Sequence, residues 1–175
     1  FLIPLFKRFP VRESAEKLLP ADLVGFSLYS WNKEISLAIA RQLKLLKPEV
    51  IIVFGGPEVP DNAEAFLRSN PCIDIACHNE GEQVFVRLLE ESLERNWGVV
   101  PSVSFIDASG QYHETEWLPR MRSLTVMPSP FLTDVFEPLM AAHPEERWLG
   151  LWETNRGCPF SCTFCDWGSN TKSKV

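Results

Sequence analysis

The chain has 175 residues, 45% of them hydrophobic and 23% charged, a globular balance that excludes a disordered, collagenous or coiled-coil chain. At the usual ~150 residues per domain this is one full domain and a remainder, or two small ones, long enough to bury a core without disulfides. Seventeen basic residues against 23 acidic ones give a net charge of −6, which argues against a general nucleic-acid or anionic-membrane binder.

Residues 1–6, FLIPLF, can form a strand. The run is short and its charges, Lys7 and Arg8, follow it, so it does not read as a secretory signal. No apolar run approaches the ~20 residues of a membrane span. Residues 13–19 predict a short helix closed by Pro20, and residues 23–28 a buried strand. Asn32 then caps a helix with apolar Ile35, Ile39, Leu43 and Leu46, stopped by Pro48. Residues 50–54, Val-Ile-Ile-Val-Phe, are the clearest strand, apolar on both faces as a doubly covered parallel strand requires. Gly55-Gly56-Pro57-Glu58 follows, and Asp61 with Glu64 reads as a capping box opening a helix whose core face holds Phe66 and Leu67. Residues 73–77 are the next strand. Gly81 ends its loop, and Val84, Phe85, Leu88, Leu89 and Leu93 mark a helix to about Asn96.

Strand and helix alternating in this way predict an α/β fold over residues 1–100, a doubly wound, Rossmann-like parallel sheet. Ligands in such sheets lie at the carboxyl ends of the strands. Here those ends carry residues 29–32, 55–60 and 78–82, and the Gly55-Gly56 pair permits close backbone approach. The texture changes after Gly98. Residues 103–107 and 111–116 around Ser109-Gly110 read as a β-hairpin. It lies in a connector, residues 101–148, that also holds Pro119, Pro128, Pro130, Pro138 and Pro144. Residues 148–154 can form one further strand, and 149–175 read as the start of another domain. The chain opens on Phe1 and ends in a polar run, so it reads as a piece of something longer.

Five cysteines form a poor disulfide framework and point to a reducing compartment, with the cytoplasm as default. Cys72 and Cys77 flank one strand and read as buried structural thiols on opposite faces. Cys158, Cys162 and Cys165 are different. Their C-x3-C-x2-C spacing can converge three thiolates on one metal centre, and soft thiolates select zinc or an iron–sulfur cluster. A closed zinc site wants a fourth ligand that this stretch lacks, and three protein ligands leave one metal position open. His113 and His143 read as surface residues.

The cysteine spacing, with an aromatic residue before the last cysteine, is similar to the signature of radical S-adenosylmethionine (radical SAM) enzymes. The stretch WETNRGCPFSCTFCDWG (152–168) resembles the start of the catalytic barrel in members that also carry a cobalamin-binding domain, and VGFSLYSWN (24–32), VFGGPEVP (53–60) and HNEGE (78–82) agree with that subgroup. The resemblance covers nearly the whole chain. It implies that Cys158, Cys162 and Cys165 bind three irons of a four-iron, four-sulfur cluster, the fourth being chelated by S-adenosylmethionine, whereas an electron-carrier cluster takes four cysteines. It places Phe164 beside the adenine. It places Ser27, Tyr29, Trp31, Asn32, Gly55, Gly56, Pro57, Glu58 and Gly81 at cobalamin. No catalytic residue is assignable beyond the cluster ligands.

One feature departs from many cobalamin domains. The D-x-H-x-x-G pattern, whose histidine binds cobalt from below, is absent. Asp74 and His78 come near it with one residue too many between them, so His78 is set aside as a ligand and the lower position stays open. The implied activity is reductive cleavage of S-adenosylmethionine coupled to methylation of an unactivated carbon or phosphorus centre, or another radical rearrangement. The implied partners are a small-molecule or peptide substrate and an electron donor such as flavodoxin or ferredoxin, with no nucleic acid and no membrane. On this reading the α/β domain lacks its opening strand and helix, the barrel is truncated, and the piece is inactive alone. The competing readings are a cobalamin carrier or sensor with a structural cysteine loop, and a metal-binding redox or regulatory module.

Overall fold

The apolar run at 50–54 builds two cores because it alternates. It forms β2, Ile51–Gly55. Ile51 and Val53 turn to one face of the sheet, Ile52 and Phe54 to the other, and all four are buried. The computed structural model describes residues 2, 4–119, 121, 123–150, 163 and 164. It divides into two compact units, Phe1–Pro119 and Arg120–Val175.

The first unit holds one sheet of five strands in sequence order. β1 (Leu23–Ser27), β2 and β3 (Ile75–Cys77) run parallel, with Leu23 opposite Ile51 and Val53 opposite Ile75. β4 (Val103–Ile106) is antiparallel to β3, and β5 (Tyr112–Glu114) is antiparallel to β4. The sheet is therefore mixed, not wholly parallel. The hairpin forms around Ser109-Gly110 as its sequence predicts, but it belongs to the sheet and not to a connector. Its alternation explains this. Val103 and Phe105 join the core on one face, while Ile106 and Tyr112 join the core on the other.

Helices cover both faces. α1 (Val11–Leu18) packs on α2 (Lys33–Leu46), and these two with α3 (Glu64–Ser69) bury Ala15, Leu37, Ala40, Leu43 and Leu67 against Val24, Ile52 and Phe54. α4 (Gly81–Glu90) buries Val84 and Leu88 on the opposite face with Ile75, Cys77 and Val103. Each fully buried Leu, Ile or Phe contributes about 1.5–3 kcal/mol. On α2 the buried apolar stripe is Leu37, Ala40 and Leu43, which shares only Leu43 with the predicted one. Small Ala40 lets the helix approach the sheet, and Ile35 and Ile39 are half-buried.

Several local readings change. The described residues of 1–6 form no strand, and Pro4 has no amide proton to give to a ladder. α4 stops at Glu90 rather than near Asn96. Leu93 is 92% exposed, and residues 91–95 form a turn that closes on Arg95 at φ 53°. The capping box does not form. The Glu64 amide donates to Asn62 Oδ1 at 3.2 Å, and the Glu64 carboxylate pairs with Arg68 at 2.7 Å. In the second unit α5 (Glu137–Ala142) starts with Pro138 in its first turn and buries Leu139. Residues 148–150 are not a strand, and the rest of that predicted strand lies outside the described residues.

Candidate functional site

The β1 and β2 chains stay joined beyond their ladder. The Leu28 amide donates to Gly55 O at 2.6 Å, and Leu28 O accepts the Glu58 amide at 3.2 Å. Between these bonds Gly56 passes at φ 113°. A Cβ there would lie 2.7 Å from Leu28 O and 3.0 Å from Leu28 N. Only glycine fits this close approach. The Val59 amide then donates to Gly56 O at 3.1 Å, closing a turn. The result is a shelf at the carboxyl ends of two parallel strands, with Ser27, Gly56 and Pro57 exposed along it.

Asn32 shapes the other half of the shelf. It stands before α2 but makes no cap bond with its side chain. Its Oδ1 accepts the Tyr29 amide at 2.8 Å and its Nδ2 donates to Ser27 O at 2.8 Å. The expected helix cap is instead a loop staple, because an amide that satisfies two local backbone groups is held more firmly than one facing solvent. The stapled loop presents Tyr29 and Trp31 as a stacked pair, centroids 4.6 Å apart and planes 13° apart. Trp31 is 78% exposed. Lys33 Nζ reaches Glu58 Oε2 at 3.5 Å across the two loops, a half-exposed pair worth about 0–1 kcal/mol.

Eight of the residues singled out in sequence, Ser27, Tyr29, Trp31, Asn32, Gly55, Gly56, Pro57 and Glu58, thus share one edge. Gly55 is less constrained than Gly56, since a Cβ there would sit in ordinary contact, 3.4 Å from Cys77 Cβ. Gly81 stands where its loop ends and α4 opens, with no atom within 4 Å of its Cβ direction. Phe164 lies in a turn of the second unit and is 90% exposed. Cys158, Cys162 and Cys165 lie outside the described residues. Among the described residues no group of three or more His, Cys, Asp or Glu side chains could hold a metal.

His78, at the end of β3, is buried and bonded. Its amide donates to Ser102 O at 2.9 Å, its Nε2 lies 2.8 Å from Ser104 Oγ, and its ring stacks on Trp117 at 5.3 Å. Burial pushes its pKa below the usual histidine value, outweighing the nearby Glu114 and Asp61 carboxylates. Sequence reading set His78 aside and missed Ser104 and Tyr112. The hairpin register could have found them, since it puts Ser104 opposite Glu114. His113 is not a plain surface residue either. It is half-buried, 2.7 Å from Asp107 Oδ2 and stacked on Phe105. Cys72 and Cys77 are buried in the two different cores, as expected.

Exposed Ser27, Gly56 and Pro57 beside a flat aromatic pair whose Trp31 is open to solvent fit a large planar ligand with a polar fringe, the chemical description of a corrinoid. The B12 binding domain family matches residues 10–89, which hold this shelf. Over its full length the chain is 38% identical to the cobalamin-dependent radical SAM methyltransferase TokK of Streptomyces tokunonensis. It is 37% identical, also over its full length, to the 2-(S-pantetheinyl)-carbapenam-3-carboxylate methyltransferase of Streptantibioticus cattleyicolor. It spans 26% of each of these proteins. Among solved structures it is similar to the cobalamin-dependent S-adenosylmethionine radical enzyme OxsB with aqua-cobalamin and S-adenosylmethionine bound. There the TM-score is 0.64 at 23% identity, over 89% of this chain and 22% of that one, a likeness of fold.

Proposed function

We propose, from the match of residues 10–89 to the B12 binding domain family, that the chain supplies the cobalamin shelf and the cluster loop of a radical SAM methyltransferase. When bound, cobalamin would supply a transferable methyl group, and a four-iron, four-sulfur cluster with S-adenosylmethionine would supply the radical that activates a carbon or phosphorus centre. The residues of this chain do the holding. Ser27, Gly56, Pro57 and Glu58 offer backbone and carboxylate groups to the polar fringe, and Gly55 keeps the strand end narrow. Tyr29 and Trp31 offer a flat face that excludes water, and Asn32 fixes the loop that carries them. Gly81 leaves space at the start of α4. Cys158, Cys162 and Cys165 hold three irons as thiolates, and Phe164 packs beside the adenine.

One observation carries this reading: the family match covers the same two strand ends that Leu28 joins beyond their ladder. The likeness of the whole of this chain to a relative named as a cobalamin-dependent radical SAM methyltransferase supports the cluster half. A small-molecule or peptide substrate, a flavodoxin or ferredoxin donor and a cytoplasmic location belong to the same proposal. Among the described residues no helix is long and apolar enough to cross a membrane.

Anaerobic reconstitution with iron, sulfide and hydroxocobalamin tests it. The expected result is a broad absorbance at about 400 nm that Cys158→Ala abolishes, with cobalamin co-eluting with the protein. Stoichiometric zinc without iron would overturn the cluster assignment. Failure of cobalamin to co-elute would overturn the shelf.

A further inference from the structure

His78 ends a line of four polar side chains. From His78 Nε2 it is 2.8 Å to Ser104 Oγ, from there 3.0 Å to the Tyr112 hydroxyl, and from there 3.2 Å to Glu114 Oε2. Its inner members are buried: His78 is 4% and Ser104 0% exposed. The line runs from the carboxyl end of β3 through β4 to the outer strand β5. Two non-glycine residues in the left-handed region flank it, Asn79 at φ 60° and Ser102 at φ 57°. The His78 amide bonds Ser102 O, and Ser102 Oγ accepts the Leu118 amide at 2.7 Å. Such strain persists only where the surroundings fix it.

We propose that His78 is a positioning residue of the cobalamin shelf, clamping the β3 end to the hairpin through Ser104, Tyr112 and Glu114. This rests on the cobalamin reading above. The ring nitrogen farthest from the backbone is turned into the sheet and engaged by Ser104, so it is not directed at a metal. The clamp instead fixes where residues 78–81 leave the strand, and so the third edge of the shelf beside the two that Leu28 joins. A clamp of this kind acts on the ligand only by keeping the loop in its binding geometry, which a buried and satisfied polar line does well.

The test titrates hydroxocobalamin into the protein carrying His78→Gln, His78→Phe or Ser104→Ala. It also measures amide exchange at His78, Ser102 and Leu118 without cobalamin. Gln can place an amide nitrogen where Nε2 stands, whereas Phe keeps the stack on Trp117 and loses the bond. His78→Phe and Ser104→Ala are expected to speed exchange at those amides and weaken binding about tenfold, the size of one well-placed hydrogen bond. His78→Gln stays within about threefold of the parent, with an unchanged spectrum of the bound cobalamin. Equal exchange in all proteins would overturn the clamp. Faster exchange with undiminished binding would overturn its link to the shelf. A spectrum altered in His78→Gln would make His78 a cobalt ligand, against the proposal. If the unsubstituted protein takes up no hydroxocobalamin, the cobalamin reading itself falls. Ser104→Ala decides the case should His78→Phe fail to fold.

Discussion

Leu28 and Gly56 meet at the limit of backbone packing: a Cβ on Gly56 would lie 2.7 Å from the Leu28 carbonyl oxygen. The positive φ of 113° adds a second obstacle to any side chain. Gly56→Ala should therefore cost about 2–3 kcal/mol of folding stability. The neighbouring Gly55→Ala is the control. Its Cβ would sit 3.4 Å from Cys77 Cβ, an ordinary contact, so it should cost less than about 1 kcal/mol. Urea denaturation of the two variants checks the contrast. Equal losses would mean that the Leu28 contact does not decide the strand-end geometry.

Asn32 holds its loop with two bonds, to the Tyr29 amide and from its own amide to Ser27 O. Asn32→Ala removes both and should cost about 1–2 kcal/mol. Asn32→Asp keeps the acceptor for Tyr29 but sets a carboxylate oxygen against the Ser27 carbonyl, so the loop should open there too. The readout is the near-ultraviolet circular dichroism of the stacked Tyr29–Trp31 pair. It should fall in both variants while the far-ultraviolet spectrum is unchanged. A helix cap would behave differently, with Asp replacing Asn at little cost.

The sequence carries the fold where one residue type has one physical use. The continuous apolar, β-branched run of β2 reads as a doubly covered strand, and Gly110, at φ 83°, marks the turn of the β4–β5 hairpin. The two glycines at the end of β2 point to the shelf for the same reason. It fails where a choice depends on distant partners. The hairpin pattern does not say which strand it pairs with, and only the ladder of Cys77 with Val103 shows that it completes the sheet. Asn32 has equally good bonds forward or backward along the chain, and its pattern looks the same for either. His78 looked like a failed metal pattern because Ser104, which engages it, is remote in sequence.

His78 gives the fold a dependence on pH with a definite sign. Burial lowers its folded pKa below the usual value of 6.5, while Glu114 and Asp61 oppose that shift more weakly. Below 6.5 the unfolded chain therefore binds the proton more readily, and stability falls with pH until the folded value is passed. Above 6.5 the contribution is complete. The urea midpoint should drop between about pH 7.5 and about pH 5.5 more in the parent than in His78→Gln. Both proteins share every other ionisable group, so the difference isolates this ring. Parallel pH profiles would contradict the buried placement.

Asp74 and His78 stand at opposite ends of β3, which is why they do not act as a pair. Asp74 works at the other end of the sheet. Its Oδ2 accepts the Ile52 amide at 2.6 Å, and Lys44 reaches the same carboxylate at 2.8 Å. Lys44 also donates to Val50 O at 2.6 Å, tying α2 to the start of β2. Asp74→Ala leaves a backbone amide and a half-buried ammonium without this acceptor and should cost about 2–3 kcal/mol. Asp74→Asn keeps the acceptor for Ile52 and should cost about half as much. Cobalamin affinity at the far edge should change little in folded Asp74→Asn. A large affinity loss there would mean that the two ends of β3 are coupled.

Cys72 and Cys77 should be chemically silent while the sheet is intact. Both are buried, one in each core. Loss of solvation alone pushes the Cys77 thiol up to about 12, and burial is the largest cause of the upward shift at Cys72. A thiol reacts through its thiolate, which both environments suppress and which reagents cannot reach without local opening. In the folded protein, with iron and sulfide omitted, iodoacetamide at about pH 8 should leave both unmodified, and denaturant should expose both at one midpoint. Peptide mapping reads each site separately. Labelling of Cys77 before the unfolding midpoint would show that the β3 end opens on its own. That would count against the His78 clamp as well, because the clamp holds the very next residue of that strand end.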